Sequence, residues 1–257
     1  SKIVELVSTE EFLMALSADG CCFIYEKRNL ERRRRLLNHP NECVQSLFYN
    51  RKKKSILYVY LKRDDPHCRL RISSISLRNL RLRRPTNRLQ ILSKEILHCG
   101  SFVEFDPNNE IILTFSPTKR VFKVWDLLTY KLRFYFSSEE VEEVKISQGL
   151  LLVIYKRKKS HVSLRVLCVF TGKVLRSLNH MLRRNRKIDF IDQFLDKIIL
   201  KQDGESMQII NLRSKKVTVS QLRRATSILF LNKTPLLLAF RDKSLEAWKF
   251  SGEDFTR

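Results

Sequence analysis

Glycine is scarce in this sequence, with six residues among 257. Phosphate-binding loops of the P-loop and dinucleotide types need several closely spaced glycines, because their backbones must approach the phosphate, and no such cluster occurs. Also absent are a His-x-x-x-His pair, a nucleophile elbow and a kinase signature. The five histidines stand singly at predicted turns. These absences predict a protein that is not an enzyme, with no catalytic residues, metal site or cofactor.

Cysteine pairs and long apolar runs are missing as well. The six cysteines form no Cys-x-x-Cys pair and no zinc-finger spacing with histidine, which predicts unpaired thiols in a reducing compartment. No run approaches the ~18 apolar residues of a membrane span, and the first residues resemble neither a signal nor a transit peptide. We therefore expect a protein without a membrane span, in the nucleus, the cytoplasm or an organelle. The expectation leaves room for a removed targeting segment, because the first residue is not Met.

Short segments of alternating apolar residues are abundant, at period two rather than at helical period. One stretch shows the pattern fully, with "FVEFD" (102–106), "IILTFS" (111–116), "VFKVWDL" (121–127) and "LRFYF" (132–136) joined by short turns. Four short strands linked by tight turns are typical of an antiparallel sheet built from consecutive hairpins. The same order of strands and turns recurs along the chain.

The recurrence predicts six copies of a four-stranded unit. Aligned on their third strands, the copies lie about 38 to 52 residues apart, which brackets the ~40–45 residues of a propeller blade. Within the third strands, Trp125-Asp126 is predicted to correspond to Ile24-Tyr25, Ile210-Asn211 and Trp248-Lys249.

We therefore predict an all-β protein, a β-propeller of about six four-stranded blades, or of seven with part missing. The prediction places a single domain over residues 1–257. Its blades are expected at about residues 1–38, 43–98, 101–137, 140–180, 186–222 and 224–257. A double-sheet sandwich of short strands is the alternative, because both architectures use strands of this length.

The third strand "VFKVWDLLTYKL" resembles the WD-repeat family, in which an apolar strand ends in Trp-Asp and a short turn leads to the outer strand. Through "HVSLRVL", "SLNH", "RRNRKIDFIDQF" and "AWKFSGE", the chain is also similar to an uncharacterised WD-repeat-like family of plants and algae. This similarity is good from Ser101 onward and poor before it. The resemblance implies that Trp125, Asp126 and Trp248 mark the repeat, and we expect both tryptophans to pack between blades. The sequence departs from the family pattern, because no Gly-His pair precedes a blade and one copy alone keeps Trp-Asp.

Acidic residues are few relative to basic ones. With 50 Lys and Arg against 27 Asp and Glu, the formal net charge is +23, which favours a polyanionic partner. The arginine-rich segment 69–88 is the most unusual, since guanidinium groups bind phosphate or carboxylate in bidentate fashion. The strand order also predicts that "KRKK" (156–159) and "RRNRK" (183–187) share one edge of the propeller, with "RKKK" (51–54) on the other.

The candidate residues for contact with a partner share a positive charge, and nearly all have a predicted position in a turn or outer strand; Arg69 and Arg71 are predicted on one side of a third strand. They are Arg69, Arg71, Arg78, Arg81, Arg83, Arg84, Arg88, Lys156, Arg157, Lys158, Lys159, Arg183, Arg184 and Arg186. For any single cluster, the alternative is a solvated basic face that keeps the protein soluble.

Two functions fit these observations. The first is a non-catalytic scaffold, a WD-repeat-like propeller that mediates protein–protein contacts within a larger assembly. The alternative is a component that binds RNA or DNA, or belongs to a ribonucleoprotein, and contacts phosphate through its basic clusters. The salt dependence of RNA binding separates the two, because each phosphate contact releases counterions.

Overall fold

The structure of the protein, a computed structural model, divides into two compact units, residues 1–138 and 139–257. It describes residues 2–37, 39–82, 84, 88–98, 100–147, 149–194, 196–220, 227–231, 236–241, 244–250 and 255–256.

The first unit contains three antiparallel sheets of four strands each. The first sheet consists of β1 (Ile3–Ser8), β2 (Phe12–Ser17), β3 (Cys22–Glu26) and β4 (Arg32–Arg35). The second consists of β5 (Glu42–Asn50), β6 (Ser55–Lys62), β7 (Arg71–Ser76) and β8 (Leu89–Ile91), with the helix α1 (Leu77–Arg81) between β7 and β8. The third consists of β9 (Phe102–Asp106), β10 (Ile111–Ser116), β11 (Val121–Asp126) and β12 (Leu132–Ser137).

The second unit contains three further sheets with the same plan. The fourth sheet consists of β13 (Val141–Ser147), β14 (Leu150–Tyr155), β15 (His161–Cys168) and β16 (Val174–Met181). The fifth consists of β17 (Ile188–Phe194), β18 (Lys197–Gln202), β19 (Gln208–Asn211) and β20 (Val217–Val219). The sixth consists of β21 (Ser227–Leu231), β22 (Leu236–Arg241), β23 (Ser244–Phe250) and β24 (Phe255–Thr256).

Each sheet is a meander in which consecutive strands are neighbours. This arrangement confirms the predicted all-β fold of the propeller class with six four-stranded blades. The alternative sandwich is wrong, because the strands form six separate sheets rather than two stacked ones. The single domain over the whole chain stays a prediction.

Central strands bury both of their faces, which explains their nearly continuous apolar sequences. In β6, Ile56 and Tyr58 pack toward the first sheet, whereas Leu57 and Val59 pack toward the third. Because successive side chains of a strand point to opposite faces, one strand contributes to two cores. In β18, Ile198 and Ile199 likewise belong to the separate cores that the fifth sheet shares with the fourth and the sixth.

The third and fourth strands of four sheets are joined by the same turn. Its first residue accepts a backbone hydrogen bond from the residue four positions later and donates one to the residue five positions later. These first residues are Glu26, Asp126, Cys168 and Asn211. The residues four positions later all have positive φ, and they are Leu30, Tyr130, Gly172 and Lys215.

This turn corrects one detail of the predicted repeat. In the first sheet Glu26 pairs with Phe12, as Asp126 pairs with Ile111 in the third. The counterpart of Trp125-Asp126 is therefore Tyr25-Glu26, and the predicted Ile24-Tyr25 is wrong by one residue.

The helix α1 was not expected from the sequence. Ser76 caps it by accepting a hydrogen bond from the Asn79 N–H at 3.2 Å, and Leu77 and Leu80 are buried on one side. A side-chain cap and two apolar residues three positions apart suffice for one helical turn. Among the described residues, no helix is long and apolar enough to cross a membrane.

Candidate functional site

Arg69 and Arg71 lie together, as their period-two spacing predicts, but both reach an acid of the same chain. The Asp65 carboxylate is 3.4 Å from Arg69 Nε and 3.3 Å from an Arg71 terminal nitrogen. Hydrogen bonds from the His67 N–H and from Arg71 hold the pKa of Asp65 below its usual range. Both arginines therefore form an ion pair with the same internal carboxylate.

Two further arginines of segment 69–88 bind carboxylates of the first unit, Arg81 between the second and first sheets and Arg88 within the second sheet. Arg81 donates a bidentate pair of hydrogen bonds to Glu11, one of them from Nε at 2.9 Å. Arg88 donates to both oxygens of Glu42 at 2.9 and 2.7 Å, and its guanidinium lies over the Tyr60 ring. The Arg88 hydrogen bond lowers the pKa of Glu42, whose side chain is only 5% exposed.

The rest of that segment has a different environment. Arg78 and Arg84 are exposed, and among the described residues neither forms an ion pair with an acid. Arg83 lies outside the described residues. The segment as a binding surface stays a prediction, and four of its arginines already hold carboxylates of the same chain.

The structure brings the two basic segments of the second unit together. Residues 156–159 connect β14 to β15, and residues 183–187 connect β16 to β17. The Arg157 guanidinium donates hydrogen bonds to the carbonyls of Arg183, at 3.1 Å, and Arg186. We call residues 156–159 and 183–187 the basic patch.

A buried glutamine fixes the turn of the basic patch from beneath. The Gln202 side-chain amide donates to the carbonyls of Arg183 and Arg186 at 3.1 and 3.2 Å, and its oxygen accepts from the Arg183 N–H at 3.0 Å. Gln202 is 2% exposed, so these bonds satisfy a polar group that burial would otherwise penalise. Asn185 has a φ of 62°, which closes the turn. The carbonyls of Arg183 and Arg186 therefore point inward, and the charged side chains of the turn are exposed to solvent.

Carboxylates lie beside the basic patch. Lys158 is 3.6 Å from Glu140, and Arg183 is 3.2 Å from Glu205. Asp203 follows Gln202, and its N–H donates to the Lys187 carbonyl at 3.0 Å. The patch is therefore strongly positive, with three acids at its border.

The exposed cations of the patch include several without an acid partner. Lys156, Lys159, Arg184 and Arg186 are exposed, and none forms an ion pair with an acid among the residues that the structure describes. Their charges are open to a partner.

The repeat-marking residues sit at packing positions. Trp125 packs into the core between the second and third sheets, and its Nε1 donates to Thr114 Oγ1 at 2.9 Å. Trp248 is buried in the core between the fifth and sixth sheets. Asp126 accepts hydrogen bonds from the Leu128 and Thr129 N–H groups at 2.9 and 2.6 Å. Both tryptophans thus contact a neighbouring sheet.

Gln202 was missed by sequence analysis, although the sequence holds a signal for it. Ile198, Leu200 and Gln202 alternate along β18, and the first two belong to one core. A glutamine at the third core-facing position must be buried, and a buried amide must find partners. The partners themselves, two carbonyls of a loop many residues away, are not encoded in that local pattern.

The described residues show no grouping typical of a metal site. Among them, no set of three His, Cys, Asp or Glu side chains could hold a metal ion. The five described cysteines are unpaired, and burial raises the pKa of the Cys22 thiol to about 12.

Several solved structures have a fold similar to that of this chain. The chain is similar to a computationally designed protein, Ika8, with a TM-score of 0.56 and 16% identity over 97% of this chain and 71% of that one. It is similar to KlHsv2 with loop 6CD replaced by a Gly-Ser linker, with a TM-score of 0.58 and 13% identity over 95% of this chain and 78% of that one. A chain in the mitotic checkpoint complex gives a TM-score of 0.52 and 14% identity over 96% of this chain and 74% of that one. These neighbours are propeller-like proteins, so the fold belongs to the propeller class.

One family model matches the whole sequence. The model of the family described as "Domain of unknown function (DUF7899)" matches residues 1–257, and the chain belongs to that family. No curated protein matches the chain. The similarity to a plant and algal WD-repeat-like family stays a prediction.

Proposed function

We propose that the protein is a non-catalytic interaction scaffold and that its basic patch binds an acidic segment of a protein partner. The observation that carries the proposal is the turn of residues 183–186, held by Arg157 and Gln202 while Arg184 and Arg186 remain exposed. Because the turn is fixed before binding, its guanidinium groups lose little backbone freedom when a partner arrives.

The propeller class supports the scaffold part of this proposal. Propellers of the kind found among the structural neighbours are typically non-catalytic scaffolds, and one neighbour was solved as part of a mitotic checkpoint complex. Fold similarity is an analogy rather than a mechanism. The specific argument therefore depends on the chemistry of the patch.

Acids at the border of the patch favour a protein over a nucleic acid. Glu140, Asp203 and Glu205 lie at the border of the basic patch. A nucleic-acid strand carries a negative charge at every nucleotide, so a path along the patch would bring phosphates close to these carboxylates. A protein segment can place acids against Arg184 and Arg186 and basic or neutral residues against the carboxylates, which gives charge complementarity.

The alternative function is binding of RNA or DNA through phosphate contacts. It is favoured by the arginines themselves, because Arg184 and Arg186 offer bidentate donors with no acid partner among the described residues. A ribonucleoprotein role would use the same exposed guanidinium groups. The two functions therefore share residues and differ in ligand.

A titration with two probes tests the proposal. One probe is a short fluorescent peptide of alternating glutamate and serine, and the other is a single-stranded RNA of mixed sequence, both at physiological salt. We expect tighter binding of the peptide. The variant Arg184→Gln/Arg186→Gln should weaken it about 5- to 30-fold, because each exposed ion pair contributes roughly 0.5–1 kcal/mol.

The matched control is Lys119→Gln/Lys131→Gln, which removes two exposed cations of the first unit and should leave peptide affinity unchanged. The variant Arg184→Lys/Arg186→Lys separates charge from guanidinium geometry and should lose only part of the affinity. Equal loss in the control would show that the total charge, not the patch, binds the peptide. Tighter binding of RNA, with a salt slope reduced by about 1.4 in the double Gln variant, would establish the alternative.

A further inference from the structure

A groove lies between the outer strand of the fourth sheet and the fifth sheet, and its lining residues do not belong to the basic patch. It encloses about 450 Å³. One wall is β16 from Arg176 to Met181, and the other includes Leu212 and Val217. His180 Nε2 and Gln208 Oε1 are 2.6 Å apart and join the two walls.

The groove is bordered by apolar side chains that the fold leaves exposed. On β16 and β20 these side chains are between 40% and 67% exposed, and they are Val174, Leu175, Met181, Val217 and Val219. Single exposed apolar residues are common, but several on two adjacent outer strands mark a contact surface.

The strand β16 has an open edge. It is the last strand of its sheet, with β15 on one side and no strand on the other among the described residues. The Leu182 N–H donates to the Ser160 carbonyl at 2.7 Å, and hydrogen-bonded pairs alternate along an antiparallel ladder. Ser177, Asn179 and Met181 therefore direct their N–H and C=O groups away from β15.

The open edge matches a known mode of peptide recognition. An extended peptide can add a strand to an exposed sheet edge, with main-chain hydrogen bonds for affinity and side-chain pockets for specificity. With eight residues, β16 is as long as any strand of the second unit. It contains no proline, and its charges are limited to Arg176. Its one β-bulge, at Leu175, precedes the outward groups of Ser177, Asn179 and Met181.

Charge defines the chemistry of the occupant. Among the residues that the structure describes, those that line the groove include the cations Arg176 and Lys215 and no carboxylate. A second copy of this chain would place Arg176 near its own counterpart and bring two chains of net charge +23 together. On β16, Arg176 shares with Leu178 and His180 the face that is turned to the fifth sheet, whereas Met181 lies on the opposite face. An added strand that alternates acidic and apolar residues can therefore direct its carboxylates to Arg176 and Lys215 and its apolar side chains to the face of Met181.

We propose that an extended peptide with alternating apolar and acidic residues binds in this groove and adds a fifth strand to the fourth sheet along β16. The proposal builds on the scaffold function above but uses residues outside the basic patch, so the two can fail separately.

The test compares two labelled peptides of equal charge, one alternating valine and glutamate and the other alternating serine and glutamate. The ratio of the two affinities measures binding in the groove, because both peptides have the same electrostatic attraction to the basic patch. We expect the valine peptide to bind at least tenfold more tightly, and the ratio should persist in Arg184→Gln/Arg186→Gln. A ratio near one would overturn the proposal.

Two proline variants test the added strand. Asn179→Pro removes an outward N–H, which an edge strand tolerates, and should reduce the ratio at least tenfold. The control Arg35→Pro removes an outward N–H of the edge strand β4 in the first unit, because Leu36 donates to Cys22 in that ladder, and should leave the ratio unchanged. Equal effects of both variants would argue against strand addition.

Two further readouts complete the test. Hydrogen exchange should slow in residues 174–181 when the valine peptide binds, and the charge variant Arg176→Glu/Lys215→Glu should lower the ratio. Binding without protection of this strand would overturn the proposal. Light scattering that shows a dimer abolished by Asn179→Pro would overturn it too, since the occupant would then be a second copy of the chain.

Discussion

Replacing Asp126 by asparagine should remove an ion pair and keep a turn. One Asp126 oxygen accepts hydrogen bonds from the Leu128 and Thr129 N–H groups, and the other accepts from Arg133 at 2.7 Å. In the equivalent turn of the fifth sheet, the Asn211 side-chain oxygen accepts from two backbone N–H groups at 2.8 and 3.0 Å. The chain thus already contains an asparagine that makes the turn contacts.

The expected loss of stability depends on which hydrogen bonds the substituted side chain can still make. Asp126→Asn keeps the two backbone contacts and loses the charge-assisted bond to Arg133, whose side chain is 17% exposed. Because Arg133 also donates to the Glu110 carbonyl at 3.3 Å, we expect a cost of about 1–2 kcal/mol in the free energy of unfolding. Asp126→Ala loses the turn contacts as well and should cost about 3 kcal/mol.

The pH dependence gives an independent check. Burial alone would raise the pKa of Asp126, but hydrogen bonds from Arg133, Thr129 and Leu128 lower it overall, well below its ordinary value of 3.8. A carboxyl with a depressed folded-state pKa stabilises the protein fully above its ordinary pKa and loses that contribution as the pH falls through the folded-state pKa. At pH 3 the wild type should have lost about 1 kcal/mol of this contribution.

Urea denaturation of the wild type and both variants at pH 7, 5 and 3 measures these quantities. The gap between wild type and Asp126→Asn should be constant from pH 7 to 5 and shrink at pH 3, because asparagine does not titrate. The control Asn211→Asp gains no arginine partner and should change stability by less than about 0.5 kcal/mol. A gap that stays constant to pH 3, or an asparagine variant as unstable as the alanine variant, would refute the reasoning.

The remaining predictions concern packing and the second ion pair. Trp248→Ala should cost about 3–5 kcal/mol, because it empties a buried site between two sheets; an unchanged melting temperature would contradict this. Arg88→Gln should cost about 1–3 kcal/mol at pH 7 by leaving the Glu42 carboxylate unpaired. Since the pKa of Glu42 is lowered from its ordinary 4.5, that cost should decline as the pH falls below 4.5, and an equal cost at pH 3 would exclude the ion pair as its cause.

The sequence predicted strands well because their pattern is local. The segments at 102–106 and 111–116 are observed with the predicted bounds as β9 and β10. Period-two alternation and tight turns are properties of neighbouring residues, so they can be recognised without knowledge of the tertiary structure. The helix α1 was missed because its signal, one serine cap and two leucines, is too short to stand out.

Partners of charged residues could not be predicted from local patterns. Arg81 and Glu11 are far apart in sequence, as are Arg88 and Glu42, and the fold alone brings each pair together. The local pattern therefore predicts arginines that are available for a ligand. The basic patch was easier to anticipate, since the order of strands places the connections 156–159 and 183–187 at one edge of the unit.

The weak sequence similarity among the repeats has a physical cause in the shared turn. The turn is closed by backbone groups, which every residue type supplies, so Glu26, Asp126, Cys168 and Asn211 can all occupy its first position. A side-chain cap adds stability at two of these positions but is not required for the geometry. The positive φ four residues later tolerates non-glycine residues at a cost of about 1–2 kcal/mol. A repeat that is specified by the backbone geometry of its turn and by alternating buried apolar residues can therefore lack Trp-Asp in most copies and keep its fold.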